Sequence, residues 1–158
     1  YSGGATSNDA GDMVAAAEDG HGIAGAIRRA LGRGELRTDQ ISYINAHGTS
    51  TPLNDRVETR AFRDVFREDA DRLMVSSTKS MHGHMMGAAG AVEAAIAVLT
   101  CHHQVVAPTI NYTTPDPDCD LDYVPNEARD AKIEHAMSTS VGLGGHNSAL
   151  IFGRWEGN

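Results

Sequence analysis

Two histidine-bearing segments hold the residues best suited to chemistry: Asn45-Ala46-His47-Gly48-Thr49-Ser50-Thr51-Pro52 and Ser76-Ser77-Thr78-Lys79-Ser80-Met81-His82-Gly83-His84. Each follows a short β-branched, apolar run, residues 41–45 and 73–78, that reads as a buried strand. Ligands gather at the carboxyl ends of strands in open α/β sheets, so both segments leave the sheet where a site is expected. Two imidazoles converging on one point present two N–H donors to a developing oxyanion. Lys79, close to both in this scheme, adds positive potential and lowers neighbouring pKa values. A hydrogen-bonded core role would account for any one of these histidines alone. Two at strand ends, with a lysine beside them, point to a site.

The elements that must position them follow from hydrophobic spacing. Ile23, Ile27 and Leu31 recur every four residues and predict a helix over 21–31, with Gly32 and Gly34 able to stop it. A second helix is expected over 55–66, with Val57, Ala61 and Val65 on one face. A long helix rich in small residues is expected from 84 to 102, placing His84 at its positive end, where a neutral ring is favoured. Its glycines each cost about 1 kcal/mol against alanine, so close packing in a larger core explains them better than propensity. Glu93 in that apolar helix needs a partner if buried, and Lys79 is the natural one. Short strands are expected at 104–109, 135–140 and 148–155, the last two joined by the turn Gly142-Leu143-Gly144-Gly145-His146-Asn147. The class is α/β, with a mixed sheet covered by helices and no internal repeat.

Bulk composition narrows the function classes. A net charge of −8 disfavours an extended nucleic-acid surface, because backbone phosphates would be repelled. No membrane partner is expected: the most apolar stretch, 85–100, is interrupted by Glu93 and rich in Gly and Ala. No secretory signal is visible, and two cysteines, Cys101 and Cys119, make no disulfide framework, which points to the cytoplasm. The opening, Tyr1-Ser2-Gly3-Gly4-Ala5-Thr6-Ser7-Asn8, is turn chemistry with no initiator methionine, as though the chain begins inside a larger protein.

Several motifs fail for lack of context. Gly20-His21-Gly22-Ile23-Ala24-Gly25 fits a dinucleotide fingerprint, but the preceding residues 13–19 look helix-prone and the next strand ends in Asn45 rather than an acid. Asp116, Asp118, Asp120, Asp122 and Glu127 fall at calcium-loop positions, yet Leu121 stands where glycine is obligatory; a solvated acidic loop is the expectation. Ser76-Ser77-Thr78-Lys79 fits an acyl-enzyme motif that needs its serine to open a helix, whereas here it ends a strand. Arg56, Arg60, Arg63 and Arg67 form a stripe interleaved with Glu58, Asp64 and Glu68, read as a solvated face. The histidines lack metal-ligand spacing, so no metal is expected.

Asn45 to Pro52, Ser77-Thr78-Lys79-Ser80-Met81 with Gly83-His84 and Gly87-Ala88-Ala89-Gly90, Pro108-Thr109-Ile110-Asn111, Cys119 to Arg129, and Gly142 with Gly144-Gly145 and Asn147 together resemble the β-ketoacyl-acyl-carrier-protein synthases. The likeness runs in order along nearly the whole chain and favours the fatty-acid branch. It implies that residues 1–158 are the C-terminal half of a thiolase-like fold, and that the nucleophilic cysteine lies in an absent N-terminal half. It implies a decarboxylative condensation in which His47 and His84 donate to the malonyl thioester carbonyl. Lys79, with Glu93 behind it, supports His84. Leu143 contributes a backbone N–H to an oxyanion hole and gates the acyl pocket, with Thr49, Thr51 and Asn147 in supporting places. The implied partners are acyl carrier protein and the synthase's other half, with homodimerisation of the full-length protein and no cofactor.

Three departures stand out. Neither Cys101 nor Cys119 has the nucleophile's context, so this chain alone is expected to condense nothing. Val141 and Leu143 replace the family's usual phenylalanines, and His82 replaces a threonine. A polyketide ketosynthase or its chain-length partner is one alternative; a non-catalytic carrier-binding module is another.

Overall fold

The computed structural model describes residues 1–155 and 157. Its centre is a five-stranded mixed sheet in the order β1-β7-β6-β2-β3. The strands are β1 (Gly3–Asn8), β2 (Ile41–Asn45), β3 (Met74–Ser76), β6 (His135–Gly142) and β7 (His146–Gly153). β2 runs parallel to both β3 and β6, while β7 pairs antiparallel with β6 and with β1. A separate ribbon joins β4 (Val105–Val106) to β5 (Arg129–Asp130).

Alternation along the central strands splits the core into two layers. Ile44 and Met137 face helices α1 (His21–Gly34) and α2 (Pro52–Phe66), meeting Ile23, Ile27, Val57, Ala61 and Phe62. Tyr43 and Ala136 face the opposite side, where α4 (Ala89–His103) contributes Ala97 and Cys101. Helices therefore cover both faces of the sheet, as the α/β reading expects. α4 is apolar beyond its buried face: Val98 and Leu99 stay 45% and 51% exposed, the pattern of a helix meant to be covered on more than one side.

Several boundaries differ from the sequence reading. The polar opening is not a turn but strand β1, whose small residues answer a packing demand: a Cβ on Gly3 would stand 2.6 Å from the Ala30 carbonyl oxygen of α1. α1 passes through Gly32 and ends only at Glu35, whose backbone is left-handed (φ 53°). Residues 13–19 form no helix; the Asp12 carboxylate instead takes the N–H groups of Val14 and Ala15 at 2.7 and 2.9 Å. α2 begins three residues earlier than expected, at Pro52, where a missing N–H costs nothing. The strand expected over 104–109 shrinks to Val105–Val106.

The largest difference concerns the expected helix over 84–102. It is divided into a single turn, α3 (Lys79–His82), a bend at Gly83, a 3-10 turn at Met86–Ala88 and then α4. Gly83 adopts φ 74°, ψ 176°, a conformation that disfavours any side chain.

The acidic loop and the arginine stripe, both expected to be solvated, are instead paired with each other. Arg56 meets Asp116 and Asp118 at 3.4 and 3.2 Å, and Arg63 meets Asp120 at 3.0 Å. Opposite charges thus staple residues 116–120 onto α2. At Gly22 a Cβ would stand only 1.7 Å from Asp9 Oδ1, so the glycine-rich fingerprint is a packing feature.

Candidate active site

His47 leaves the carboxyl end of β2, and its loop is anchored from α2. The Glu58 carboxylate accepts the backbone N–H of His47 at 2.9 Å and of Gly48 at 2.6 Å. It also accepts Asn54 Nδ2–H at 2.8 Å and the Thr139 hydroxyl at 3.1 Å. Burial pushes its pKa up while these four donors pull it down, with burial the largest influence. The solvated-stripe reading fails for Glu58, which is 2% exposed and positions the whole turn. A signal for this exists in the sequence, since position 58 shares a helix face with Ala61 and Phe62.

The second loop is tied to the first. Ser77 Oγ donates to the Gly48 carbonyl at 2.6 Å, and a Cβ on Gly48 (φ 38°) would stand 2.5 Å from Ser77 Cβ. Only glycine permits that approach. The result is that the rings of His47 and His84 lie edge to face, with centroids 5.3 Å apart and planes at 83°.

The two rings are set by different surroundings. Burial, the Lys79 ammonium and His84, in that order, lower the His47 pKa from 6.5 to about 3. His84 does not open the long helix, so the helix-dipole argument for it fails; it stands five residues ahead of Ala89 and is exposed. The Met86 N–H donates to His84 Nδ1 at 3.1 Å, which leaves Nε2 as the ring's N–H donor.

A depressed folded-state pKa has a signed consequence. The neutral His47 contributes stability that is fully present above pH 6.5 and lost as pH falls toward about 3, because the unfolded chain takes up a proton that the folded one refuses. The urea midpoint should therefore drop across that window, and less steeply in His47→Asn. A His47→Asn curve parallel to the wild type would show that the ring is not buried as described. No inflection from His47 is expected in a rate profile between pH 5 and 8.

Lys79 and Glu93 form an ion pair with side chains 4% and 0% exposed. Lys79 therefore bonds Glu93 rather than His84, and its field acts on His47. The second carboxylate oxygen of Glu93 is buried without a hydrogen-bond partner among the described residues.

A cleft of ≈ 1060 Å³ gathers His47, His84, Thr49, Thr51, Leu143 and Asn147 along its walls. A second, of ≈ 800 Å³, shares His84, Thr49 and Thr51 and adds Lys79, Ser77 and Tyr112. His84 and the two threonines, whose hydroxyls are 3.0 Å apart, thus stand between two openings. Leu143 lies 64% exposed in the three-residue turn between β6 and β7. Asn147 is buried beneath that turn, donating to Asp9 Oδ1 at 2.7 Å and to the Gly145 carbonyl at 3.1 Å. Its place is structural: it fixes the turn that carries Leu143.

Such an arrangement can direct N–H donors at a carbonyl oxygen that gains charge, without supplying an activated thiolate of its own. Cys101 is buried under β7, and Cys119 lines the smaller cleft with its thiol pKa raised by burial, so neither is an activated thiolate. No group of three or more potential ligands for a metal occurs among the described residues.

Residues 1–113 match the family described as "Beta-ketoacyl synthase, C-terminal domain". Over 151 residues the chain is 48% identical to the 3-oxoacyl-[acyl-carrier-protein] synthase 2 of Staphylococcus aureus (strain COL), covering 96% of this chain and 36% of that protein. The synthase 2 of Synechocystis sp. is 47% identical over 148 residues, covering 94% and 36%. Among solved structures, a type II polyketide ketosynthase in complex with its acyl-carrier protein superposes with a TM-score of 0.95 at 39% identity, covering 98% of this chain and 38% of that one. A β-ketoacyl synthase from Burkholderia phymatum gives 0.91 at 37% identity, covering 98% and 37%. The chain spans about a third of the length of the curated relatives it matches.

Proposed function

Because this chain belongs to the β-ketoacyl synthase family and has its thiolase-like α/β fold, we propose that it supplies the malonyl-activating half of a decarboxylative condensing site. The observation that carries this reading is the edge-to-face pair His47 and His84 lining the larger cleft. In the proposed reaction, a cysteine in an N-terminal half accepts the acyl group as a thioester. Malonyl carrier protein then binds with its thioester carbonyl against the two imidazoles. The C–CO2⁻ bond breaks, its electron pair moves into the thioester as an enolate, and the N–H donors of His47 and His84 stabilise the oxyanion. The enolate carbon attacks the acyl thioester carbonyl. The Leu143 N–H receives the second oxyanion, and the cysteine leaves as thiolate. CO2 and a 3-oxoacyl thioester on the carrier complete the balance.

The remaining residues fit this scheme. Lys79 and Glu93 hold the site's rear wall. Thr49 and Thr51 offer hydroxyls to the carrier's thioester arm where the two clefts meet. The apolar outer face of α4 suits coverage by the synthase's other half. We place the protein in the cytoplasm, in keeping with two free cysteines, with homodimerisation a property of the complete polypeptide.

Curated relatives at 48% identity are named 3-oxoacyl-[acyl-carrier-protein] synthase 2, whereas a type II polyketide ketosynthase matches at 39%, so a single elongation of a saturated chain is the favoured activity. With a saturated acyl primer and malonyl carrier protein, the complete polypeptide should yield one 3-oxoacyl product per primer. Iterated polyketone products would favour the polyketide reading instead. The same assay tests Leu143, whose exposed side chain overhangs the larger cleft. Leu143→Phe is expected to shift the chain-length profile several-fold, and an unchanged profile would remove Leu143 from any gating role.

A further inference from the structure

His82 belongs to neither cleft, yet its ring has both nitrogens engaged. Nδ1 lies 2.8 Å from the Gly83 carbonyl oxygen and Nε2 lies 3.1 Å from Thr78 Oγ1. A carbonyl only accepts, so Nδ1 carries a proton, and in that tautomer Nε2 is the acceptor for the Thr78 hydroxyl. The other acceptor within that hydroxyl's reach, Asn45 Oδ1, is farther away at 3.3 Å. Thr78 Oγ1 in turn accepts from Asn45 Nδ2 at 3.1 Å. One directed chain results: Asn45 to Thr78 to His82, and from the other side of the ring to Gly83. Asn45 and Thr78 are both 0% exposed, so the chain's root is fixed at the carboxyl end of the sheet.

Its far end is where fixation matters. Gly83 carries the positive-φ bend, and its carbonyl belongs to the peptide that joins it to His84. Holding that oxygen fixes the peptide plane and hence the direction in which the His84 side chain departs. His84 is exposed, and among the described residues its ring makes one hydrogen bond, to Met86 N–H, and one edge contact, to His47. A ring so lightly held takes its placement from its backbone.

We propose that His82 is a positioning residue for His84, acting through the Gly83 carbonyl and anchored by Thr78 and Asn45. This rests on the function proposed above, since it assigns His84 a donor to orient. The tautomers of the two histidines are opposite: His82 is protonated at Nδ1 and His84 at Nε2. A donor misplaced by a fraction of an ångström loses transition-state stabilisation while leaving substrate binding nearly intact.

The test uses the complete synthase carrying His82→Ala, His82→Asn and, as reference, His84→Ala, with malonyl decarboxylation as the readout. His82→Ala is expected to lower kcat about tenfold with KM within twofold. His82→Asn retains an N–H at the Nδ1 position and should recover most of the loss. Comparable thermal midpoints for the two His82 variants separate this effect from a folding defect. If His82→Ala turns over within twofold of the wild type, or if His82→Asn is as slow as His82→Ala at equal stability, the proposal is overturned. If His84→Ala itself retains full activity, the functional reading fails first, and the two failures are thereby told apart.

Discussion

Replacing His84 by alanine in the complete polypeptide is expected to slow malonyl condensation by about 10²–10³-fold, the usual cost of removing one oxyanion donor, about 2.7–4 kcal/mol. The same loss is expected for His47→Ala. The reason is geometric. The two rings approach to 5.3 Å on the segments that follow neighbouring parallel strands; burial keeps His47 neutral, and the Met86 N–H on Nδ1 leaves His84 Nε2 as a donor. Because the two donors act on one oxygen, the double variant should be little slower than either single one. kcat should fall while the acyl primer still loads, since loading draws on the cysteine rather than on this pair. Near-normal condensation in either single variant would remove the histidines from the mechanism.

Lys79→Ala is expected to destabilise the protein by about 3–5 kcal/mol, because it leaves a buried carboxylate uncompensated. Glu93 is 0% exposed, and one of its oxygens already lacks a hydrogen-bond partner among the described residues. Against a typical total of about 5–15 kcal/mol, that is a large share. The double variant Lys79→Met/Glu93→Leu should regain most of the lost stability, since a buried pair can be replaced by apolar residues of similar volume at little net cost. It should not regain activity, because the positive field on His47 would be gone. Urea unfolding separates the two effects. A Lys79→Ala midpoint equal to that of the wild type would mean that the ion pair carries no such burden.

The strands that carry the site are legible in the sequence because their patterns are strong. The run 41–45 is a strand throughout, and 73–78 contains one, since buried parallel strands need continuous apolar, β-branched stretches. Convergence of the two histidines follows from that placement. The opening strand Gly3–Asn8 is hidden because its residues serve close contact with α1, not β propensity. The break at Gly83 is hidden for a related reason: alanine and glycine in 83–91 satisfy helix, turn and tight packing alike, so periodicity cannot place the helix start. Charges mislead most. Glu58, Arg56, Arg63 and the aspartates at 116–120 look solvated in one dimension, and only tertiary placement pairs them or buries them.

The most direct measurement is the release of CO2 together with 3-oxoacyl thioester, with acyl and malonyl carrier-protein substrates supplied to the complete polypeptide and, separately, to residues 1–158 alone. Equal moles of CO2 and product are expected from the complete polypeptide, and no product from residues 1–158. Product formed by residues 1–158 alone, or none formed by the complete polypeptide, would contradict the proposed division of the condensing site between two halves.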